Sequence, residues 1–142
     1  MKKVFVDTNF LMDLFGRKPN PETGRNQYEE DAIEVINQGK LRKIMFYASF
    51  LSVANFAYLL RKTEPQLLFK QIETICELFI VLPNEEKHLR NAIKLRPADY
   101  EDAVQYATAI SAGCDCIITR NGRDFPFATI PVLSPQEFLQ QL

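Results

Sequence analysis

The sequence predicts an α/β fold of three layers, with a central, mostly parallel sheet of four to five strands between two layers of helices. Short apolar runs of β type, such as Val4-Phe5-Val6 and Cys116-Ile-Ile-Thr119, alternate along the chain with longer segments of helical period. Strands that alternate with helices imply a parallel sheet covered on both faces. The 142 residues, 46% of them hydrophobic, suffice for one core without a disulfide framework. No repeat, low-complexity tract or linker interrupts them, so residues 1–142 are expected to form one domain.

The first strand, Val4 to Val6, ends abruptly at Asp7-Thr8-Asn9. Phe10, Leu11, Leu14 and Phe15 then recur at helical spacing until Gly16, and residues 17–24 have the composition of a loop. A second helix should turn Ala32, Ile33, Val35 and Ile36 inward and close at Gly39. Ile44 to Tyr47 reads as a strand and Ser49 to Lys62 as a mostly apolar, buried helix. Pro65 opens a helix through Leu68, Ile72 and Ile75, and Phe79 to Leu82 is a third strand. A helix from Asn84 to Leu95 precedes Pro97, and another runs from Asp99 to Ala112, closed by Gly113. Cys116 to Thr119 is the fourth strand. Ile130 to Leu133 is a fifth, confined to an edge by Pro131. Ser134-Pro135 caps a last short helix with Phe138 and Leu139 inward.

Bulk chemistry narrows the function classes. A formal net charge of −1 and a pI near 5.9 argue against a protein that coats nucleic acid nonspecifically. An acidic site that binds cations is compatible with that balance. Cys76, Cys114 and Cys116 are odd in number, and Cys114-Asp-Cys116 lacks the C-x-x-C spacing of zinc and redox motifs, so reduced thiols are expected. Met-Lys-Lys leads straight into a strand rather than a secretory signal, and Phe46 to Leu60 is too short and too often interrupted to span a membrane. A cytoplasmic protein with no membrane segment is the expectation.

In an open parallel sheet, ligands bind beyond the carboxyl ends of the strands. That rule selects Asp7 after the first strand, and Arg120, Asn121 and Asp124 after the fourth, while Asp115 lies at the opposite end and is excluded. Asp99 and Asp102 share the first turn of one helix, three residues apart. Helix capping accounts for that spacing by itself, but the two roles coexist if Asp99 caps and Asp102 faces the site. Asn55 lies on the apolar helix, in line with Ser49 and Ser52. A buried amide needs partners, since leaving one unmatched costs roughly 1–3 kcal/mol; either it bonds nearby backbone or this polar line borders the acidic pocket. Gathered aspartates repel one another unless a cation neutralises them. Oxygen donors without a His or Cys cluster favour Mg2+ or Mn2+. His88, among Lys87, Arg90, Lys94 and Arg96, reads as a solvated side chain. Those cations, Arg61-Lys62 and Arg120/Arg123 are candidate phosphate contacts, although a solvated helix face explains any one of them.

Asp7-Thr-Asn after the first strand, Asp102-Ala103 opening a helix that runs to Ala109, and Ile118-Thr-Arg-Asn-Gly-Arg-Asp-Phe125 resemble, in order and over nearly the whole chain, the PIN-domain family. The resemblance implies an acidic pocket holding Mg2+ or Mn2+, and ribonuclease activity on single-stranded RNA. It also implies kinship with VapC-type toxins, which a cognate antitoxin neutralises, and with a family in which homodimers are common. By position, Asp7, Asp102 and Asp124 match catalytic, metal-holding acids. Asn9 and Thr119 match supporting polar residues. Two departures stand out. Asn55 occupies the place of the family's second acid, and Asn121 the place where the last acid often stands, with Asp124 three residues on. Asp99 is a candidate to compensate in part. One or two ions are then expected between Asp7, Asp102 and Asp124.

A catalytically weak PIN domain that binds RNA or protein is the alternative those asparagines favour. A haloacid-dehalogenase-like phosphatase wants Asp-x-Asp where Asn9 stands, and a receiver domain wants an early acid pair. A dinucleotide binder wants G-x-G-x-x-G after a strand. None of these patterns is met.

Overall fold

The computed structural model describes residues 2–15 and 20–142; the expected stop at Gly16 and the first part of the loop after it lie outside the described residues. Five parallel strands form one sheet in the order β3-β2-β1-β4-β5: β1 (Lys3–Val6), β2 (Met45–Ser49), β3 (Ile80–Leu82), β4 (Cys116–Ile118) and β5 (Val132–Leu133). Val4, Phe5 and Val6 are fully buried, as befits the central strand of a sheet covered on both faces.

Side chains alternate across the strand, so β1 feeds two cores. Val4 and Val6 pack with Phe10 and Leu11 of α1 (Thr8–Phe15), Val35 of α2 (Gln27–Leu41), Phe56 of α3 (Phe50–Leu59), Ile75 of α4 (Pro65–Leu78) and Phe138 of α7 (Pro135–Gln140). Phe5 packs on the other face with Tyr106 and Ala109 of α6 (Tyr100–Ser111). Behind α6 lies α5 (Glu86–Lys94), joined to it through Ala92, Ala103 and Val104. The three-layer α/β/α architecture expected from the alternating pattern is the one observed, and β5 is an edge strand as Pro131 required.

Four local expectations need correction. Ile33 is 42% exposed, because Ala32, Val35 and Ile36 already fill the inner stripe of α2. Gly39 does not close α2, which continues to Leu41; a Cβ there would meet the Phe46 ring at 2.3 Å, so the missing side chain makes room for β2. The helix α3 is apolar all round but buried on one side only, through Ser52 and Phe56, leaving Phe50, Tyr58 and Leu59 exposed. His88 is buried rather than solvated, because its Nδ1 accepts the Glu85 backbone N–H at 2.9 Å and folds the ring back over the start of α5. That burial pushes its pKa down from the ordinary value, against a smaller opposing pull from Glu85.

Gly113 behaves as expected: its φ of +73° lies in the left-handed region that ends helices, and it releases the chain from α6 into β4. Among the described residues no helix is long and apolar enough to cross a membrane.

Candidate active site

In the observed strand order the chain leaves β1 towards β2 on one side and returns to β4 on the other. The crevice between the carboxyl ends of β1 and β4 is therefore where a ligand is expected. Asp7 stands at the end of β1 and Thr119 at the end of β4, both buried. Asp115, at the opposite edge, ties down the start of β1 by accepting the backbone N–H groups of Lys2 at 2.8 Å and Lys3 at 2.9 Å.

Asp7 is held from two directions. Its Oδ2 accepts the Thr119 hydroxyl at 2.5 Å, and its Oδ1 accepts the Phe10 backbone N–H at 3.1 Å, as a residue capping α1 would. Thr119 Oγ1 in turn accepts the Asn121 backbone N–H at 3.1 Å, which joins the loop after β4 to the same carboxylate. Burial pushes the Asp7 pKa up to about 6, and these bonds offset only part of that rise.

A cavity of about 240 Å³ opens above this carboxylate. Asp7 and Asn9 line it from the β1 end, Asn55, Tyr58 and Leu59 from α3, and Glu101, Asp102 and Gln105 from α6. Asp99 caps α6, accepting the Asp102 backbone N–H at 3.3 Å, so Asp99 takes the cap and Asp102 takes the cavity. The Asp102 pKa is pushed up to about 7, first by burial and then by repulsion from Asp99, Asp124, Asp7 and Glu101. Asp124 is exposed and outside the cavity lining, in a 3₁₀ turn (Gly122–Asp124), yet near enough to oppose the charge on Asp102. Asn121 lies beside a second cavity, with Tyr28 and Arg120.

Beneath the cavity runs a buried polar chain. Ser49 Oγ donates to Gln105 Oε1 at 2.7 Å, Gln105 Nε2 donates to Ser52 Oγ at 2.8 Å, and the Thr8 hydroxyl reaches Ser52 at 3.2 Å. The polar line on α3 thus splits. Ser49 and Ser52 brace α6 against α3, and Asn55 alone reaches the cavity, where its Nδ2 donates to Glu101 Oε1 at 2.6 Å.

Sequence reasoning missed three residues here. Glu101 adjoins Asp102 in the acidic first turn of α6. Gln105 lies one turn after Glu101, on the same helix face, and a fully apolar neighbourhood was the signal that it needed partners. Asp13 interrupts the apolar stripe of α1, is 1% exposed, and accepts both Arg120 Nε at 2.7 Å and Nη2 at 3.3 Å. The Arg120 guanidinium also stacks 4.0 Å from the Tyr28 ring centroid, so it braces the β4 loop and is committed to that role rather than to phosphate. Among the other candidate cations, Lys87 and Arg90 pair with neighbouring glutamates, while Arg61 stacks over Tyr58 at the cavity wall, 4.2 Å from its centroid.

The donor set suits a hard divalent cation in kind, since every acid facing the cavity is a carboxylate. Burial first raises the pKa of both Asp7 and Asp102, and at Asp102 repulsion from the neighbouring acids adds to it, so a cation in the cavity would favour both charged forms. Among the described residues no three Asp, Glu, His or Cys side chains converge closely enough to enclose an ion. A Mg2+-type ion retains several waters and takes one or two carboxylates, so a two-carboxylate site is compatible with it.

Comparison with known proteins gives the family and the fold. The family model of the PIN domain matches residues 3–123. Ribonuclease VapC1 of Aquifex aeolicus (strain VF5) is 27% identical over 146 residues, spanning 99% of this chain and 95% of that protein. Among solved structures, DNA-bound VapBC from Salmonella typhimurium superposes with a TM-score of 0.71 at 20% identity, covering 95% of this chain and 99% of the other. FitAcB from Neisseria gonorrhoeae gives 0.69 at 19%, covering 94% and 98%. Those likenesses carry the fold, and the family match carries the membership: this chain belongs to the PIN-domain family.

Proposed function

We propose that the protein is a divalent-metal-dependent ribonuclease that cleaves phosphodiester bonds of single-stranded RNA at the cavity between β1 and α6. The observation that supports this most strongly is that Asp7 and Asp102, 95 residues apart in sequence, line one cavity with carboxylates whose pKa values are both raised. The resemblance to Ribonuclease VapC1 supports the same reaction class.

In this reading Asp7 and Asp102 hold Mg2+ or Mn2+, and Asp124 adds negative charge from the rim. A bound divalent ion supplies neutralisation of phosphodiester charge and lowers the pKa of water. Thr119 and the Phe10 N–H keep the Asp7 carboxylate at one orientation. The Ser49–Gln105–Ser52 chain keeps α6, and so Asp102, at a set distance from α3. Asn9 offers a polar side chain on the cavity wall, and the exposed Tyr58 gives an aromatic face beside it on which an RNA base can stack. A histidine base is not required, and His88 belongs to the start of α5. Cleavage of a single-stranded RNA with Mn2+ present, assayed beside Asp7→Asn, tests the reading. Wild-type activity in that variant would remove it.

The VapBC complexes among the structural relatives support, for this chain, the role of toxin in a toxin–antitoxin pair in the cytoplasm. The exposed Phe50, Tyr58 and Leu59 on α3 and Leu67 and Phe69 on α4 offer apolar surface for a cognate antitoxin or for a second copy in a homodimer. A second reading, a PIN domain that binds RNA or protein without cutting, is favoured by Asn55 at an acid's place and by the absence, among the described residues, of three converging acids. Retention of single-stranded RNA without cleavage, at saturating Mn2+, would select it.

A further inference from the structure

The cavity's negative charge is distributed in a way that the chain order conceals. On α3, where an acid would complete the set, Asn55 is neutral. Directly opposite, α6 contributes two adjacent carboxylates, Glu101 and Asp102, and both line the cavity. A glutamate in the first turn of a helix usually serves the helix dipole and points to water. Glu101 is exposed as well, but its carboxylate is directed: its Oε1 accepts the Asn55 amide at 2.6 Å across 46 residues of sequence, from the opposite wall of the cavity. An amide can donate to a carboxylate where a second carboxylate would repel it. Asparagine on α3 is therefore the side chain that lets an acid on α6 lean over the cavity.

We propose that Glu101 supplies the charge that α3 lacks, and that Asn55 is the positioning residue that aims it. This rests on the metal-nuclease reading above. Asp7 and Asp102 then remain the metal-holding pair, and Glu101 adds negative charge beside them from α6 where α3 offers none.

Calorimetric Mn2+ titration of the whole protein tests this without relying on activity. Glu101→Gln is expected to weaken Mn2+ binding at least about ten-fold, as loss of a group supporting a metal site commonly does. Asn55→Ala should weaken it by a smaller factor in the wild-type background and by nothing further once Glu101 is Gln. The decisive variant is the exchange Asn55→Glu with Glu101→Gln, which reverses the hydrogen bond and returns the charge to α3. Recovery of wild-type Mn2+ affinity by the exchange supports the proposal. Unchanged affinity in Glu101→Gln, with affinity lost in Asp102→Asn, overturns it and leaves the site reading intact. No Mn2+ binding by the wild-type protein overturns both. Circular dichroism of each metal-free variant separates a lost charge from a lost fold.

Discussion

Two buried aspartates near the start of the chain meet opposite fates. Asp13 is 1% exposed and Asp7 7%; Asp7 caps the short helix α1 and Asp13 lies within it. Asp13 is neutralised from within, by both nitrogens of the Arg120 fork. Asp7 receives only neutral donors, Thr119 and a backbone N–H, and its pKa rises to about 6. A buried carboxylate without a directly paired cation costs folding free energy; Arg120 bonds Asp13 directly but acts on Asp7 only as a smaller, through-space attraction, which under the proposed function leaves Asp7 the better place for a bound cation. One aspartate holds the β4 loop in place; the other is the one proposed to hold a metal ion.

Substitutions that exchange these conditions sharpen the contrast. The largest effect is expected for Asp7→Asn in the cleavage assay, a loss of about a thousand-fold or more, because the metal-holding oxygen is gone while the bonds that orient the side chain are largely kept. Next, Arg120→Ala removes the two charged hydrogen bonds that the buried Asp13 receives from the guanidinium. Urea unfolding should show it destabilised by about 3 kcal/mol, and Asp13→Asn in that background should restore part of the loss.

The third effect has the opposite sign. Between the unfolded carboxyl value near 3.8 and the folded value of about 6, the folded state retains a proton at Asp7 that the unfolded state has released. Stability contributed by Asp7 therefore falls as pH rises through that window, and above it the full penalty applies. Metal-free Asp7→Asn should accordingly be more stable than the wild type at pH 7.5, on the order of 2 kcal/mol, with the difference vanishing near pH 4. A variant that gains stability while losing activity would mark a site held under electrostatic strain. Smallest is a pH effect on Mn2+ affinity. Protons compete for carboxylates raised to about 6 and about 7, so titrations should show binding weakening about ten-fold from pH 8 to pH 6.

How much of this was legible in the sequence follows the range of each interaction. Asp7 was readable because it directly follows a strand, and strand ends are local features, whereas Thr119 came from the family resemblance. The double use of Asp99 and Asp102 was readable from one helical turn. Contacts between distant segments were not: Glu101 with Asn55, Gln105 with Ser49, and Arg120 with Asp13 join residues 46, 56 and 107 positions apart. The burial of α3 was misjudged for a related reason. Uniform apolarity indicates no direction, and here only Ser52 and Phe56 face inward while Phe50 and Tyr58 remain exposed. His88 was concealed by its charged neighbours, because sequence proximity says nothing of which side of α5 meets the core.

Under the proposed function, Asp7 and Asp102 act on one shared cation. Calorimetric titration of the metal-free wild-type protein with Mn2+ at pH 8, alongside Asp7→Asn and Asp102→Asn, measures this directly. Saturable binding by the wild type that either substitution abolishes is the predicted result. Binding that survives both substitutions, or a wild type that binds no Mn2+, contradicts it.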